Sequence, residues 1–377
     1  MLSRRPFVLN SLAVAGGLAL TSAKAAQKLL GSVGSSFGKP PVAREEPVVD
    51  ALWGQKIVDP YRWMEQKPDT EEFTQFLKAQ GDHARAVLDA LPGRTAIKAA
   101  LTRYSQAAAQ VQVVQVTDHH VVYRRRDPGQ DSFSVYMRAR EGGEPQLILN
   151  PAQKVKDGLP RNITSVLLSP DAKRVVYAID TGGDEVREVR VLTLADRGDV
   201  LVTSLNGIPS AWLPDSSGFY YSRIRADAKK GSTDYSFGAS AWLHRIGTDP
   251  NTDQQVFRST DGPALGQSER ELPLVMSTTT SEWALGQLHS NGEWPAYVWV
   301  ARVATVTQGK ADWAAVVFKN DVAVEAVAHG EHIHVLAKGK SERGEIFKVA
   351  AATPSIDKRV VIVPQGAHLI EIGRAHV

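Results

Sequence analysis

Leu168-Ser169-Pro170-Asp171 precedes Val175-Val176-Tyr177-Ala178, and Leu213-Pro214-Asp215-Ser216 precedes Phe219-Tyr220-Tyr221-Ser222. The two Pro-Asp pairs stand 44 residues apart, within the repeat of roughly 40–50 residues that marks propeller blades. In each copy Pro sets φ and Asp bonds back to nearby backbone, so the chain turns and enters a strand. Weaker echoes are Ser290-Asn291-Gly292 before Tyr297-Val298-Trp299, and His329-Gly330-Glu331 before Ile333-His334-Val335.

On either side of these turns the texture is uniform. From Val111 onward, short runs rich in Val, Ile, Tyr, Trp and Leu alternate with Asp, Gly, Pro and Ser turns. Val111–Val116, Val121–Arg124, Val189–Leu194, Tyr297–Val303 and Val360–Val363 are examples. Strands at this spacing with no helical period predict a mainly β chain. Dividing the region gives about five four-stranded sheets, near 111–149, 163–205, 209–258, 272–318 and 324–365, and so a β-propeller.

Ahead of the strands, 46–68 reads as extended and turn-rich, and a helix follows. Asp69 with Glu72 three residues later is expected to cap it. Phe73, Phe76, Leu77, Ala84, Val87, Leu88 and Leu91 recur at helical spacing, which predicts a buried face. Residues 95–109 read as a second helix with Ile97, Leu101 and Tyr104 inward.

The ends read differently. Residues 1–25 carry Arg4 and Arg5, a short apolar centre from Ser11 to Leu20, and Ala23-Lys24-Ala25. That is the pattern of an export signal cut after Ala25, with too short a centre to span a bilayer. Ser3-Arg4-Arg5-Pro6-Phe7 resembles the twin-arginine signal, which implies a periplasmic or secreted protein of a bacterium. Residues 26–45 read as a flexible linker. Ile372-Gly373-Arg374-Ala375-His376-Val377 is what one frame of a common short-read sequencing adapter (ATC GGA AGA GCA CAC GTC) encodes, so 371 is the expected end of native sequence and the chain is expected to be a fragment.

Charge excludes little once the signal is set aside. The 377 residues hold 44 Lys and Arg against 41 Asp and Glu. Without 1–25 the balance is 41 to 41, so no argument for nucleic acid or membrane surfaces remains. There is no Cys, hence no disulfide.

Against this background Val58-Asp59-Pro60-Tyr61-Arg62-Trp63-Met64-Glu65 resembles a stretch of the prolyl oligopeptidase family of serine peptidases. Phe76-Leu77-Lys78-Ala79-Gln80, Leu149-Asn150-Pro151, Glu188-Val189-Arg190-Val191, Ala211-Trp212-Leu213-Pro214-Asp215, Leu243–Thr248 and Ile362-Val363-Pro364 follow in the family's order. The resemblance covers about 46–371. It implies a seven-bladed propeller joined to an α/β-hydrolase domain, to which 46–110 would contribute and of which 111–371 would be the incomplete propeller. It further implies cleavage of short proline-containing peptides after proline by a Ser, Asp and His triad. From the motifs and charge, no cofactor, no nucleic acid partner and no stable membrane insertion are expected, and the protein is expected to be a monomer. The hydrolase domain is expected to be absent here, so no catalytic residue is assigned and the fragment is expected to be inactive; Asp59, Pro60, Tyr61, Arg62 and Trp63 are taken as a structural motif. Alternatives are a non-enzymatic periplasmic propeller that binds a ligand, or an oligopeptidase of other specificity at the residue preceding the cut.

Remaining constellations carry less. Gly339-Lys340-Ser341-Glu342-Arg343-Gly344 mimics a nucleophile elbow with its second Gly one position late, and reads as a turn. His332 and His334 share a strand face beside His329 and Glu331, but no third ligand can be placed, so no metal is assigned. His119-His120 point to opposite faces. Arg124-Arg125-Arg126, followed by Asp127 and Asp131, reads as a solvated strand end.

Overall fold

The computed structural model describes residues 38–66, 70–154, 158–230, 232, 234–262, 266–290, 293–317, 323–339 and 342–370. The chain divides into two compact units, 1–107 and 108–377.

In the first unit β1 (Val48–Leu52) and β2 (Gln55–Asp59) form an antiparallel hairpin. Its turn residues Trp53 and Gly54 both have positive φ, 53° and 76°, the geometry that matches the twist of paired strands. Three helices follow: α1 (Trp63–Gln66), α2 (Glu71–Asp89) and α3 (Arg94–Ser105). Two expectations need correcting. The cap of α2 is Thr70, whose side chain accepts from Phe73 N–H at 3.4 Å; Asp69 lies outside the described residues, and Glu72 instead takes Arg44 Nε at 2.8 Å. No residue of α2 or α3 is buried. Leu77, Leu88, Ile97, Leu101 and Tyr104 are exposed, and only Phe73, Phe76, Val87 and Leu91 of the expected face are half-buried among the described residues, so the apolar period forecast the helices correctly but not a buried face.

Among the described residues the second unit holds five four-stranded antiparallel sheets, each with its strands in chain order. Sheet one comprises β3 (Gln110–Val116), β4 (His120–Arg126), β5 (Ser134–Ala139) and β6 (Gln146–Leu149). Sheet two comprises β7 (Arg161–Leu168), β8 (Arg174–Thr181), β9 (Glu188–Thr193) and β10 (Asp199–Thr203). Sheet three comprises β11 (Ile208–Trp212), β12 (Gly218–Arg223), β13 (Ser240–Arg245) and β14 (Gln254–Arg258). Sheet four comprises β15 (Leu272–Met276), β16 (Trp283–Ser290), β17 (Glu293–Arg302) and β18 (Ala314–Val317), with the short α4 (Val303–Val306) after β17. Sheet five comprises β19 (Ala323–His329), β20 (His332–Ala337), β21 (Glu345–Ala350) and β22 (Val360–Val363). These limits fall within two residues of the blades read from the sequence.

The Pro-Asp turns join the first and second strands of sheets two and three. Each places the residue after Asp at positive φ, Ala172 at 55° and Ser216 at 62°. Asp171 accepts from Ser169 Oγ and Lys173 N–H, and Asp215 accepts from Ser217 Oγ and N–H. The two repeats also touch: Asp171 N–H donates to Ser216 Oγ at 3.0 Å, and Trp212 Nε1 donates to the Leu167 carbonyl at 3.0 Å. The weaker echo at Ser290 is not equivalent, for it falls between second and third strands, whereas His329-Gly330 sits at the equivalent first turn. Every hairpin needs such turn residues, so composition alone could not separate the two.

Four apolar layers bind each sheet to the next. Val122, Val135 and Met137 of sheet one meet Ile163, Val166, Tyr177 and Ile179 of sheet two. Between sheets three and four Phe257 packs at 5.8 Å from Trp299 and 4.8 Å from Trp313 by ring centroid. Gly286 makes room there, because a Cβ would come within 2.8 Å of the Phe257 ring. Among the described residues none of these layers joins sheet five to sheet one, and no helix is long and apolar enough to cross a membrane.

Candidate functional site

The Asp59–Trp63 motif closes the hairpin of the first unit onto α2. Asp59 leaves β2 and accepts twice, from Tyr61 N–H at 2.9 Å and from Arg62 Nε at 2.9 Å. Arg62 reaches back across the hairpin to Asp50, so its fork bridges two carboxylates. The Arg62 bond, then the Tyr61 N–H, hold Asp59 below the usual carboxylate range, and Asp50 and then Asp59 push Arg62 above its ordinary value. Trp63 Nε1 donates to the Arg44 carbonyl at 2.8 Å, and the Arg44 guanidinium lies 4.8 Å over the Trp63 ring while it also pairs with Glu72 and Glu46. Phe73 and Phe76 of α2 meet that ring edge-on at 6.2 and 6.5 Å. Arginine forks and an aromatic edge-on cluster fix a chain crossing; they present no nucleophile. Pro60 contributes its carbonyl, which accepts from Glu46 N–H at 2.9 Å.

In the second unit the most triad-like group is one the sequence reading missed. His244 Nδ1 lies 2.9 Å from Asp253 Oδ1, and Tyr221 Oη donates to Asp253 Oδ2 at 2.8 Å. Both His244 and Asp253 side chains are 2% exposed. A His–Asp pair orients the base of serine hydrolases, but here the imidazole packs on Phe219 at 5.3 Å, and among the described residues no serine hydroxyl bonds to it. It is a buried tie. Sheet two has the counterpart: Tyr177, 44 residues before Tyr221, donates to Asp199 Oδ2 at 2.7 Å, and Arg190 Nε reaches Asp199 Oδ1 at 3.1 Å. Burial, and then the Asp beside each hydroxyl, pushes both tyrosines above their usual range.

The three-histidine group is brought together without being organised for a metal. His334 lies 6.1 Å from His329 and 6.4 Å from His332 by ring centroid, and His329 Nδ1 is 3.0 Å from Thr280 Oγ1. Among the described residues no group of three potential ligands has metal-binding geometry. Burial, then His329, His332 and Lys348, hold His334 below the usual imidazole range.

The nucleophile-elbow signature needs separate treatment. A literal Gly-x-Ser-x-Gly does occur, as Gly34-Ser35-Ser36-Phe37-Gly38. A nucleophile elbow opens directly into a helix, whereas 38–47 has no regular structure, so the string lacks the required context; 34–37 lie outside the described residues. Also outside them are Arg4, Arg5, Ala23 and Ala25, most of the linker, Lys340, Ser341 and 372–377.

The family profile described as "Prolyl oligopeptidase, N-terminal beta-propeller domain" matches residues 40–373. The chain belongs to the prolyl oligopeptidase family. It is 24% identical over 259 residues to a prolyl endopeptidase of Elizabethkingia meningoseptica, covering 66% of this chain and 34% of that protein. It is 26% identical over 254 residues to prolyl oligopeptidase ophP of Omphalotus olearius, covering 59% of this chain and 34% of the relative. Among solved structures, a chain from a structural and mechanistic study of two prolyl endopeptidases superposes with TM-score 0.73 at 24% identity, over 87% of this chain and 47% of that one. Prolyl oligopeptidase B from Galerina marginata, bound to a 25mer macrocyclization substrate, gives TM-score 0.67 at 17% identity, over 87% and 48%. The chain thus spans about a third of the length of the curated relatives it matches and about half of the solved chains.

Proposed function

We propose that this chain is the propeller part of an exported serine endopeptidase that hydrolyses short peptides after proline, its propeller restricting access to a catalytic centre carried by further sequence. The observation that carries the reading is the family match over 40–373 on a chain that spans only a third to a half of its relatives. The exposed apolar residues of α2 and α3 support it, since Leu77, Leu88, Ile97 and Leu101 at helical spacing are what a helix presents when its partner is elsewhere. The chemistry would be attack by an activated Ser on the carbonyl after proline, with backbone N–H groups holding the oxyanion. None of those groups is assigned within these 377 residues, so the chain alone is expected to be inactive.

The test compares two proteins on a proline-anilide substrate: this 377-residue chain, and the product of the genomic reading frame followed past codon 371. The chain should give no turnover and the longer product should cleave after proline, favouring short peptides over folded proteins. Turnover by the chain alone, or a longer frame without a nucleophile elbow, overturns the reading. Export is tested separately. Arg4→Lys with Arg5→Lys should leave a reporter fused to residues 1–45 in the bacterial cytoplasm, where the unaltered segment carries it out.

A further inference from the structure

The Arg124-Arg125-Arg126 run is not one solvated patch. Arg125 pairs with Asp127 at 2.7 Å. Arg126 lies 5.4 Å over the Phe133 ring and donates to Gln110. Arg124 lies on the face opposite Arg125, two residues further from the strand end than Arg126. It pairs in register with Val135 and shares a strand face with Val122, both members of the layer between sheets one and two. Among the described residues its Nε is buried without a hydrogen-bond partner and no acid pairs with it, while the side chain as a whole is half-buried; burial pushes its ionisation down.

On the facing sheet the carboxylates of that layer are taken. Glu188 lies 2.8 Å from Arg161 Nη2, a close ion pair without hydrogen-bond alignment, and 3.4 Å from Arg190 Nη1. Asp199 holds Arg190 and the Tyr177 hydroxyl. Arg161 and Arg124 lie at the same end of the layer, one step beyond Ile163 and Val122 on their strands. A guanidinium nitrogen that has left water without gaining an acceptor is costly to a fold, so an anion that reaches the fork gains hydrogen bonds and relieves that cost.

We infer that Arg124 is the anchor of a binding site for a peptide carboxylate at this end of the seam between the first two sheets. The planar fork suits a carboxylate, and Glu188 and Asp199 in the same layer disfavour a more highly charged anion such as phosphate. The inference stands independently of the proposed peptidase activity, since its test uses binding alone.

Three peptides distinguish the possibilities on the 377-residue chain, by calorimetry: N-acetyl-Ala-Pro-Ala as the free acid, its amide, and the amide with Glu replacing the last Ala. The free acid or the Glu amide should bind at least about tenfold tighter than the plain amide, the gain of a charge-assisted hydrogen bond. Preference for the free acid identifies a chain terminus as the source, and preference for the Glu amide a side chain. Arg124→Met should abolish the difference, and Arg124→Lys should reduce it. Thermal unfolding provides the second reading: carboxylate peptide should raise the melting temperature of the unaltered chain and not that of Arg124→Met. Equal binding of acid and amides by the folded chain, absence of binding by all three, or a preference that survives in Arg124→Met overturns the inference.

Discussion

Asp171 and Asp215 show how much of this fold rests on single side chains that answer to the backbone. Each accepts from a Ser hydroxyl and a backbone N–H inside its turn, and each frees the following residue to adopt positive φ. For Asp171 burial alone would raise the carboxyl, but the bonds from Ser169 and Lys173 outweigh it; for Asp215 the two Ser217 bonds lead. Both carboxyls therefore titrate below their unfolded value of about 4. The sign follows directly: the unfolded chain binds the proton first, so this stability is full above pH about 4 and falls as pH drops toward the folded value. Asp215→Ala should cost about 0.5–1.5 kcal/mol at pH 7 in urea unfolding, with the difference from the unaltered chain shrinking on acidification below pH 4. His334 runs the other way in chemistry and the same way in effect. Its folded value is depressed, so the folded state resists the proton that the unfolded state accepts near pH 6.5. Stability should decline as pH falls below that point, and His334→Gln should flatten this part of the profile in thermal unfolding measured between pH 7.5 and 5.

Between elements, the ties that matter most were the least legible. Turn chemistry, strand texture and the 44-residue repeat are local patterns, so the limits of all five sheets could be read without coordinates. The Tyr–Asp ties could not. Tyr177 and Tyr221 keep the repeat, but Asp199 and Asp253 follow them at 22 and 32 residues, because the connection from β12 to β13 is longer than that from β8 to β9. A partner whose spacing is set by loop length leaves no period to detect. The same limit explains Arg124, whose neighbours in sequence announce a charged surface while its strand parity turns it inward. The hairpin motif is expected to be structural through its resemblance, while the Arg62 bridge between Asp50 and Asp59 depends on a strand register that sequence does not print. Asp253→Ala leaves both His244 and the Tyr221 hydroxyl buried without their acceptor, and should cost roughly 2–4 kcal/mol by the price of two unsatisfied groups, measured by denaturant midpoint at unchanged slope. Gly286→Ala tests the layer between sheets three and four: the added methyl meets the Phe257 ring, and overpacking of this kind costs about 1–3 kcal/mol.

At the scale of the whole molecule the decisive surface is the last edge. β22 lies at the margin of sheet five and reads Val360-Val361-Ile362-Val363, every residue of it exposed, between 40% and 55%. Among the described residues β22 pairs only with β21, so four consecutive apolar β-formers present unpaired N–H and C=O groups and an adhesive face at once. Val327 of β19 extends that exposure, and Val111, Val113 and Leu147 expose apolar surface on sheet one. With the charge of residues 26–377 balanced at 41 to 41, no net repulsion opposes association. The chain should therefore associate with rising concentration, seen as a shift to larger species in sedimentation velocity. Val360→Glu breaks the run and sets a carboxylate opposite Lys348, its register partner on β21, a favourable cross-strand pair. It should leave the circular dichroism spectrum unchanged and reduce association, whereas Val360→Lys, which opposes two like charges, should reduce association at a loss of stability. Equal association by all three chains would locate the adhesive surface elsewhere, with sheet one the next to be charged, through Val113→Glu.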